Sequence, residues 1–277
     1  MKHIVLCADD YGQNSAISQA IVELLKTKHL SAVSCMVTDP DWATHAKELA
    51  PFKGTIDIGL HFNLTEGKLL SKEFPDSISL KRLIIKANSR GLSKKAIVQE
   101  LRAQLDRFTD TMNQLPDFID GHQHVQQLPI VRDALFEVYE ERLRAHGTYV
   151  RCTYESGVLS NILRVAYVKQ LIIQILGGGR SFKQALIEHK IPHNPSFTGI
   201  YNFENYHLHH QLFLRFLDQI DDCGLIMCHP GLMGDKEKDP ITAARHYEYC
   251  YFSSKQFLDD LDTKHVKFMR FSELPKK

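Results

Sequence analysis

Ile4-Val5-Leu6-Cys7-Ala8-Asp9-Asp10-Tyr11-Gly12 is the stretch on which the reading of the whole chain turns. A continuous apolar run without polar alternation is the pattern of a strand buried on both faces, as parallel sheets produce. The two aspartates follow it directly. Working outward, residues 15–28 place Ile17, Ile21, Leu24 and Leu25 on one helical face. The alternation then continues with a strand at 34–37, a helix at 41–49, a strand at 55–60 and a long helix at 94–112. A strand at 117–120, a helix at 130–145 and a strand at 148–152 follow.

Beyond residue 155 the spacing predicts a helix at 162–176, halted by Gly177-Gly178-Gly179, since no GK[ST] follows to make a phosphate loop. Next come a strand at 197–203, a helix at 207–219, a strand at 224–228, helical sequence at 241–261 and a last strand at 266–270. Repeated β-α units predict a parallel sheet with helices outside it. With 277 residues, the expectation is an α/β fold: a single-domain distorted (β/α) barrel with parallel strands and outer helices, and a helical insertion at about 156–205. An open doubly wound sheet is the alternative.

Composition narrows the function. Hydrophobic residues at 43% and charged residues at 24% suit a globular enzyme, and a net charge of +1 gives no field favouring nucleic acid. Cys7, Cys35, Cys152, Cys223, Cys228 and Cys250 show no CxxC spacing, so buried thiols in a reducing compartment are expected. The apolar N-terminal run is too short for a signal peptide or a membrane span. The expectation is a cytoplasmic enzyme with no membrane or nucleic-acid partner.

In either sheet architecture, chemistry gathers at the carboxyl ends of the strands. The strands read here end in Asp9-Asp10, in His61, in Asp120-Gly121-His122-Gln123-His124, near Arg151 and in His229. Each has a plain structural explanation. Asp9-Asp10 can be a turn with a helix cap, His61 between Leu60 and Phe62 a hydrogen-bonded core residue, and His229 before Pro230-Gly231 the start of a turn. His122 and His124 differ, because residues two apart on an extended chain point the same way, a common metal-binding spacing. Together the set is the equipment of hydrolysis: a carboxylate and two imidazoles to hold a divalent cation, a second carboxylate to take a proton from water, and a further His to protonate a leaving group.

The same residues carry a family resemblance. Ala8-Asp9-Asp10-Tyr11-Gly12 resembles the ADDFG motif of the YdjC-like carbohydrate deacetylases. Gly59-Leu60-His61-Phe62-Asn63-Leu64-Thr65 resembles their G-x-H-x-x-L-T motif, Asp120-Gly121-His122-Gln123-His124-Val125 their D-S-H-x-H-V-H segment, and Met227-Cys228-His229-Pro230-Gly231 their C-x-H-P-G segment. The resemblance implies a distorted (β/α) barrel that removes N-acetyl groups from amino sugars or chitooligosaccharide-like carbohydrates, by attack of a metal-bound water. It also implies an acetylated carbohydrate substrate and a homodimer. By the match, Asp10, His61 and His122 bind the metal, Asp9 is the general base and His229 the general acid. Arg151 orients Asp9 and favours its carboxylate form. The ion is Mg2+ or Zn2+, and the donor set leaves both open.

Three positions depart from the family pattern. Tyr11 replaces Phe, Gly121 replaces Ser with no expected chemical consequence, and Gln126 stands where a third His is common, which bears on the substrate. His124 is left as either a ligand in place of His122 or a partner behind it. Tyr11, Phe62 and Tyr201 are candidates to stack on a sugar, with core packing as the alternative for Phe62. The rival functions are a phosphoesterase or amidohydrolase with the same donors, and a non-catalytic sugar-binding protein on the same barrel.

Overall fold

Strand β1 (Lys2–Tyr11) runs through the middle of a parallel sheet and is buried from Ile4 onward. The computed structural model describes residues 1–74, 76–154, 178–237 and 239–275. On one side of β1 lie β2 (Ala32–Cys35), β3 (Asp57–Phe62), β4 (Phe118–Gly121) and β5 (Tyr149–Val150). On the other lie β7 (Leu225–Cys228) and β6 (Phe197–Thr198), giving the order β5-β4-β3-β2-β1-β7-β6. All these pairings are parallel, and β8 (Val266–Phe268) pairs with the first residues of β1. The sheet curls into a half-barrel ringed by helices. Its edges draw together where Val150 bridges to His193 and its amide donates to Pro192 O at 2.8 Å.

Around the sheet lie α1 (Ser15–Lys26), α2 (Trp42–Leu49), α3 (Leu80–Asn88), α4 (Lys94–Met112), α5 (Val131–Val138), α6 (Gly179–Glu188), α7 (His209–Gln219), α8 (Thr242–Phe252) and α9 (Lys255–Lys264). Local chemistry sets their ends. Asn14 caps α1 by accepting the Ile17 amide, and Ser93 caps α4 by accepting that of Ala96. The helical stretch read at 241–261 is two helices, because Ser254 accepts the Phe257 amide and starts α9 afresh. The helix read at 130–145 gives way after Val138 to a π-turn at Tyr139–Leu143 and a 3-10 turn at Arg144–His146.

Other expectations shift as well. Helix α3, with only Leu83 and Ala87 buried, presents too thin an apolar stripe to stand out in the sequence. Gly178 precedes α6 in a left-handed conformation (φ 76°) and Gly179 opens it. The helix read at 162–176 and Gly177 lie outside the described residues. The strand read at 197–203 stops after Thr198 because Gly199 turns at φ 116°, pressed so closely on Met227 that a Cβ would lie 2.3 Å from its carbonyl oxygen.

Alternation along β1 divides the core. Ile4, Leu6 and Ala8 face the helices, while Val5 and Cys7 face the barrel interior with Ala32, Phe118, Tyr149, Phe197, Leu225 and Met227. The interior floor is a stack of Phe118, Tyr149 and Phe271, with centroids 5.0 and 4.0 Å apart. Asp9 follows Val5 and Cys7 on the inward side, directly above that floor. No disulfide joins the described cysteines; all but Cys250 are buried. No described helix is long and apolar enough to cross a membrane.

Gly59 makes this floor possible, since a Cβ there would lie 2.4 Å from the Phe118 ring. Gly59→Ala is expected to cost about 1–3 kcal/mol of stability by overpacking. Denaturant unfolding measures this, and an unchanged midpoint would show that Phe118 yields without cost.

Candidate metal centre and active site

Two adjacent residues of a regular strand point to opposite faces, yet Asp9 and Asp10 both serve one site. The reason is a break in β1. Its register against β2 shifts between Ala8 and Tyr11, and Asp10 takes a left-handed φ of 66°. Such bulges re-aim side chains, and Asp is among the few residues that tolerate this conformation.

Asp10 Oδ1 lies 3.3 Å from His61 Nε2 and 2.9 Å from His122 Nδ1. Taking one donor atom from each of Asp10, His61 and His122, all three fall within 4.8 Å of one another, and all three residues are buried. Behind His61, its Nδ1 meets Asp120 Oδ1 at 2.6 Å, and the Ser34 hydroxyl donates to that same oxygen at 2.6 Å. This fixes the ring so that Nε2 faces Asp10. Asp10 Oδ2 accepts from Arg245 Nη2 at 2.7 Å, and Arg245 Nε donates to Asp239 at 2.8 Å. Burial alone would raise the Asp10 pKa, but Arg245 and His122 outweigh it and hold the carboxyl well below its usual range. Burial alone would lower that of His61, yet Asp120, Asp10 and Asp9 together push it up to about 10.

Asp9 occupies the other half of the site. Both its oxygens accept from Arg151, at 2.6 and 2.8 Å, and Arg151 Nε stands 3.0 Å from Asp120 Oδ2. Arg151 is 0% exposed. Cys7, Asp9 and Asp120 also lie within mutual reach, but a cation among them would meet the guanidinium that already holds both carboxylates. His229 Nε2 is 3.9 Å from Asp9 Oδ2, and its ring packs edge-on to Phe203 at 5.1 Å. The His229 amide donates to the Glu248 carboxylate, which also accepts from Tyr201 Oη at 2.6 Å. Burial pushes His229 down to about 4 and Glu248 up to about 7.

The structure therefore gathers Asp10, His61 and His122 in one cluster and sets Asp9, Arg151 and His229 beside it. Some expectations need correction. The chain after Gly121 is not extended. It coils through Gln123 (φ 54°) and His124 (φ 60°), so His122 turns to Asp10 while His124 packs on the Phe197 ring at 5.8 Å, outside the cluster. Burial and Arg151 push His124 down to about 3. Tyr11, Phe62 and Tyr201 are no sugar platform, for all three are buried, and the Tyr11 hydroxyl donates to His45 O. Gly121 has a consequence after all: a Cβ there would lie 2.8 Å from Gln126 Oε1.

Sequence reasoning missed Ser34, Glu66, Arg245 and Glu248. Glu66 follows the third strand closely, and the strand-end rule applied a few residues further would have flagged it. Arg245 and Glu248 sit inside α8, and nothing in their local sequence separates them from surface charges.

The chain matches the family model described as YdjC-like protein over residues 3–263, and it belongs to that family. Relatives include the carbohydrate deacetylase of Danio rerio, 34% identical over 56% of this chain and 51% of that protein. The carbohydrate deacetylase of Mus musculus is 26% identical over 82% of this chain and 77% of its own length. The chitooligosaccharide deacetylase of Yersinia pestis is 30% identical over 46% of this chain and 52% of its own. The chain spans about half the length of most of the curated relatives it matches. Among solved structures, an Enterococcus faecalis protein associated with cellobiose-phosphate cleavage superposes with a TM-score of 0.72 over 98% of both chains at 16% identity. That likeness establishes the fold.

Removing Arg151 would leave Asp9 and Asp120 buried without their shared cation. Arg151→Ala is expected to lose about 3–5 kcal/mol of stability, and Arg151→Lys to recover only part, since an ammonium cannot bond both carboxylates in a fixed fork. Urea unfolding of both variants at neutral pH measures the difference. A lysine variant as stable as the parent would contradict the geometric argument.

Proposed function

We propose that the protein is a metal-dependent carbohydrate deacetylase, a hydrolase that removes N-acetyl groups from amino sugars. One observation carries the reading: at the bulged end of β1 a three-donor cluster lies next to a carboxylate, Asp9, that stands outside that cluster and is aimed by an arginine. A pure binding site has no use for the second carboxylate. The names of the relatives from Danio rerio, Mus musculus and Yersinia pestis point to the same class.

The donors fit a divalent cation. One carboxylate and two imidazoles converge, each offering a donor atom within 4.8 Å of the others, and all three residues are buried. Three protein ligands leave positions open for water and substrate, as catalytic sites do. Zinc suits the imidazoles, and magnesium the carboxylate. Asp10, His61 and His122 would hold the ion, which when bound supplies Lewis-acid polarisation of the acetyl carbonyl.

The remaining steps fall to the chain's own groups. Asp9, oriented by Arg151, accepts a proton from the attacking water. Burial holds His229 neutral, so it takes up a proton before passing one to the departing amine, and Asp9, 3.9 Å away, is the neighbour that supplies it. Each such group contributes roughly 10²–10⁴-fold in rate.

Incubation with N-acetylated mono- and oligosaccharides and added divalent ions is expected to release acetate, and a chelator to stop it. Release of phosphate from phosphosugars instead would favour the phosphoesterase alternative. Asp9→Asn should keep metal while turnover falls about 10²–10⁴-fold, whereas His61→Ala should lose metal. Equal metal loss in the two variants would overturn this division of roles.

A further inference from the structure

We infer that Glu66 is a positioning residue for the metal ligand His122, acting on the imidazole nitrogen that faces away from Asp10. The inference rests on the metal reading above and goes beyond it. His61 lies between two carboxylates, with Nε2 toward Asp10 and Nδ1 against Asp120. His122 repeats the arrangement with its nitrogens exchanged: Nδ1 is 2.9 Å from Asp10 Oδ1, and Nε2 is 3.3 Å from Glu66 Oε1. His122 Nε2 is buried and makes no hydrogen bond, and this carboxylate oxygen is the acceptor within reach. Metal-binding histidines generally give their second N–H to such a partner, which fixes the tautomer and strengthens the ligand.

The loop is built to hold Glu66 there. Asn63, fully buried, accepts the amides of Thr65 and Glu66 on its Oδ1, each at 3.0 Å, and donates from Nδ2 to Glu66 O at 2.7 Å. Asn63 is itself held by Gln104 of α4, which accepts its amide at 3.0 Å and donates to its carbonyl at 2.7 Å. The other carboxylate oxygen of Glu66 accepts from Gln13 Nε2 at 2.6 Å. Gln13 Oε1 lies 3.2 Å from Arg245 Nη2, the atom that donates to Asp10 Oδ2. Glu66, Gln13, Arg245, Asp10 and His122 thus form a closed circuit. Asp120 is sealed in the interior, but the Glu66 side chain is 41% exposed. It can be altered without opening the core.

The test is metal affinity, measured without substrate. Zn2+ and Co2+ dissociation constants are determined by competition with a chromophoric chelator for the parent, Glu66→Gln and Glu66→Ala. The Co2+ absorption spectrum and the metal-free thermal midpoint are recorded alongside. We expect both variants to bind about 10-fold or more weakly, with an unchanged Co2+ spectrum, and the metal-free midpoint to be unchanged in Glu66→Gln, whose amide oxygen still accepts from Gln13 and whose backbone keeps the bonds from Asn63. Equal affinity in parent and variants overturns the inference and leaves the metal reading intact. A weakened affinity with a lowered metal-free midpoint in Glu66→Gln makes Glu66 merely structural, and a Co2+ spectrum showing one ligand fewer makes it a ligand; either overturns the positioning role. Failure of the parent to bind either ion removes the metal reading and this inference together.

Discussion

The guanidinium of Arg151 is the constraint on which the site depends. Three carboxylates are buried here, Asp9 within 4.8 Å of Asp120 and Asp10 across the His61 ring from Asp120, and water cannot solvate them there. Left unpaired, each would be forced toward its neutral form. Arg151 grips Asp9 with two nitrogens and faces Asp120 with the third, while Arg245 takes the outer oxygen of Asp10. Because Arg245 is shared with Asp239, the two guanidinium groups face four carboxylates and leave negative charge uncompensated at the mouth of the barrel. A proton on His61 answers part of that charge, which is why Asp120, Asp10 and Asp9 push the His61 pKa up to about 10. A cation held by His61, as proposed above, would take the place of that proton. Asp120 keeps a role in either state, since it holds the Nδ1 side of the ring.

That charge arrangement needs Asp9 and Asp10 on one side of a strand, which regular β geometry forbids. The bulge at Asp10 resolves the conflict at the cost of a left-handed residue outside glycine, of order 1–3 kcal/mol. The surroundings compensate: the rings of Tyr11 and Trp42 meet edge-on at 6.5 Å, and the Tyr11 hydroxyl is tied to His45 O. Tyr11 therefore anchors the end of the bulge from the helix side of the sheet rather than walling the substrate.

What the sequence made legible follows from which physical rule governs each feature. The parallel sheet could be read because strands buried on both faces leave continuous apolar runs, and the gathering of Asp9, Asp10, His61, His122, Arg151 and His229 because they stand at strand ends that this architecture brings to one side. The rest obeys rules with no local signature. Gln123 and His124 adopt left-handed angles without a glycine to announce them, so the extended His-x-His geometry did not form. Arg245 reaches Asp10 across 235 residues of sequence, and its neighbours in α8 mark it only as one polar residue of a helix. Ser34 is a small residue inside a buried strand, and only the register of β2 against β3 brings it beside His61 and Asp120.

Gly121 and Gln126 show how two departures from a family pattern can be one. Where the related motif carries Ser and a third His, this chain has a glycine whose missing side chain makes room for a glutamine amide. Any Cβ at 121 would come within 2.9 Å of both Oε1 and the backbone nitrogen of Gln126. Gln126 is fully buried and its Nε2 donates to Arg151 O at 3.3 Å, so it steadies the strand end that presents the guanidinium. A residue sealed in this way does not line the mouth of the barrel. The exchange at 126 is thus an adjustment of the support beneath Arg151, while the residues left partly exposed at the rim are Glu66, His229 and the half-buried Phe203 packed against it.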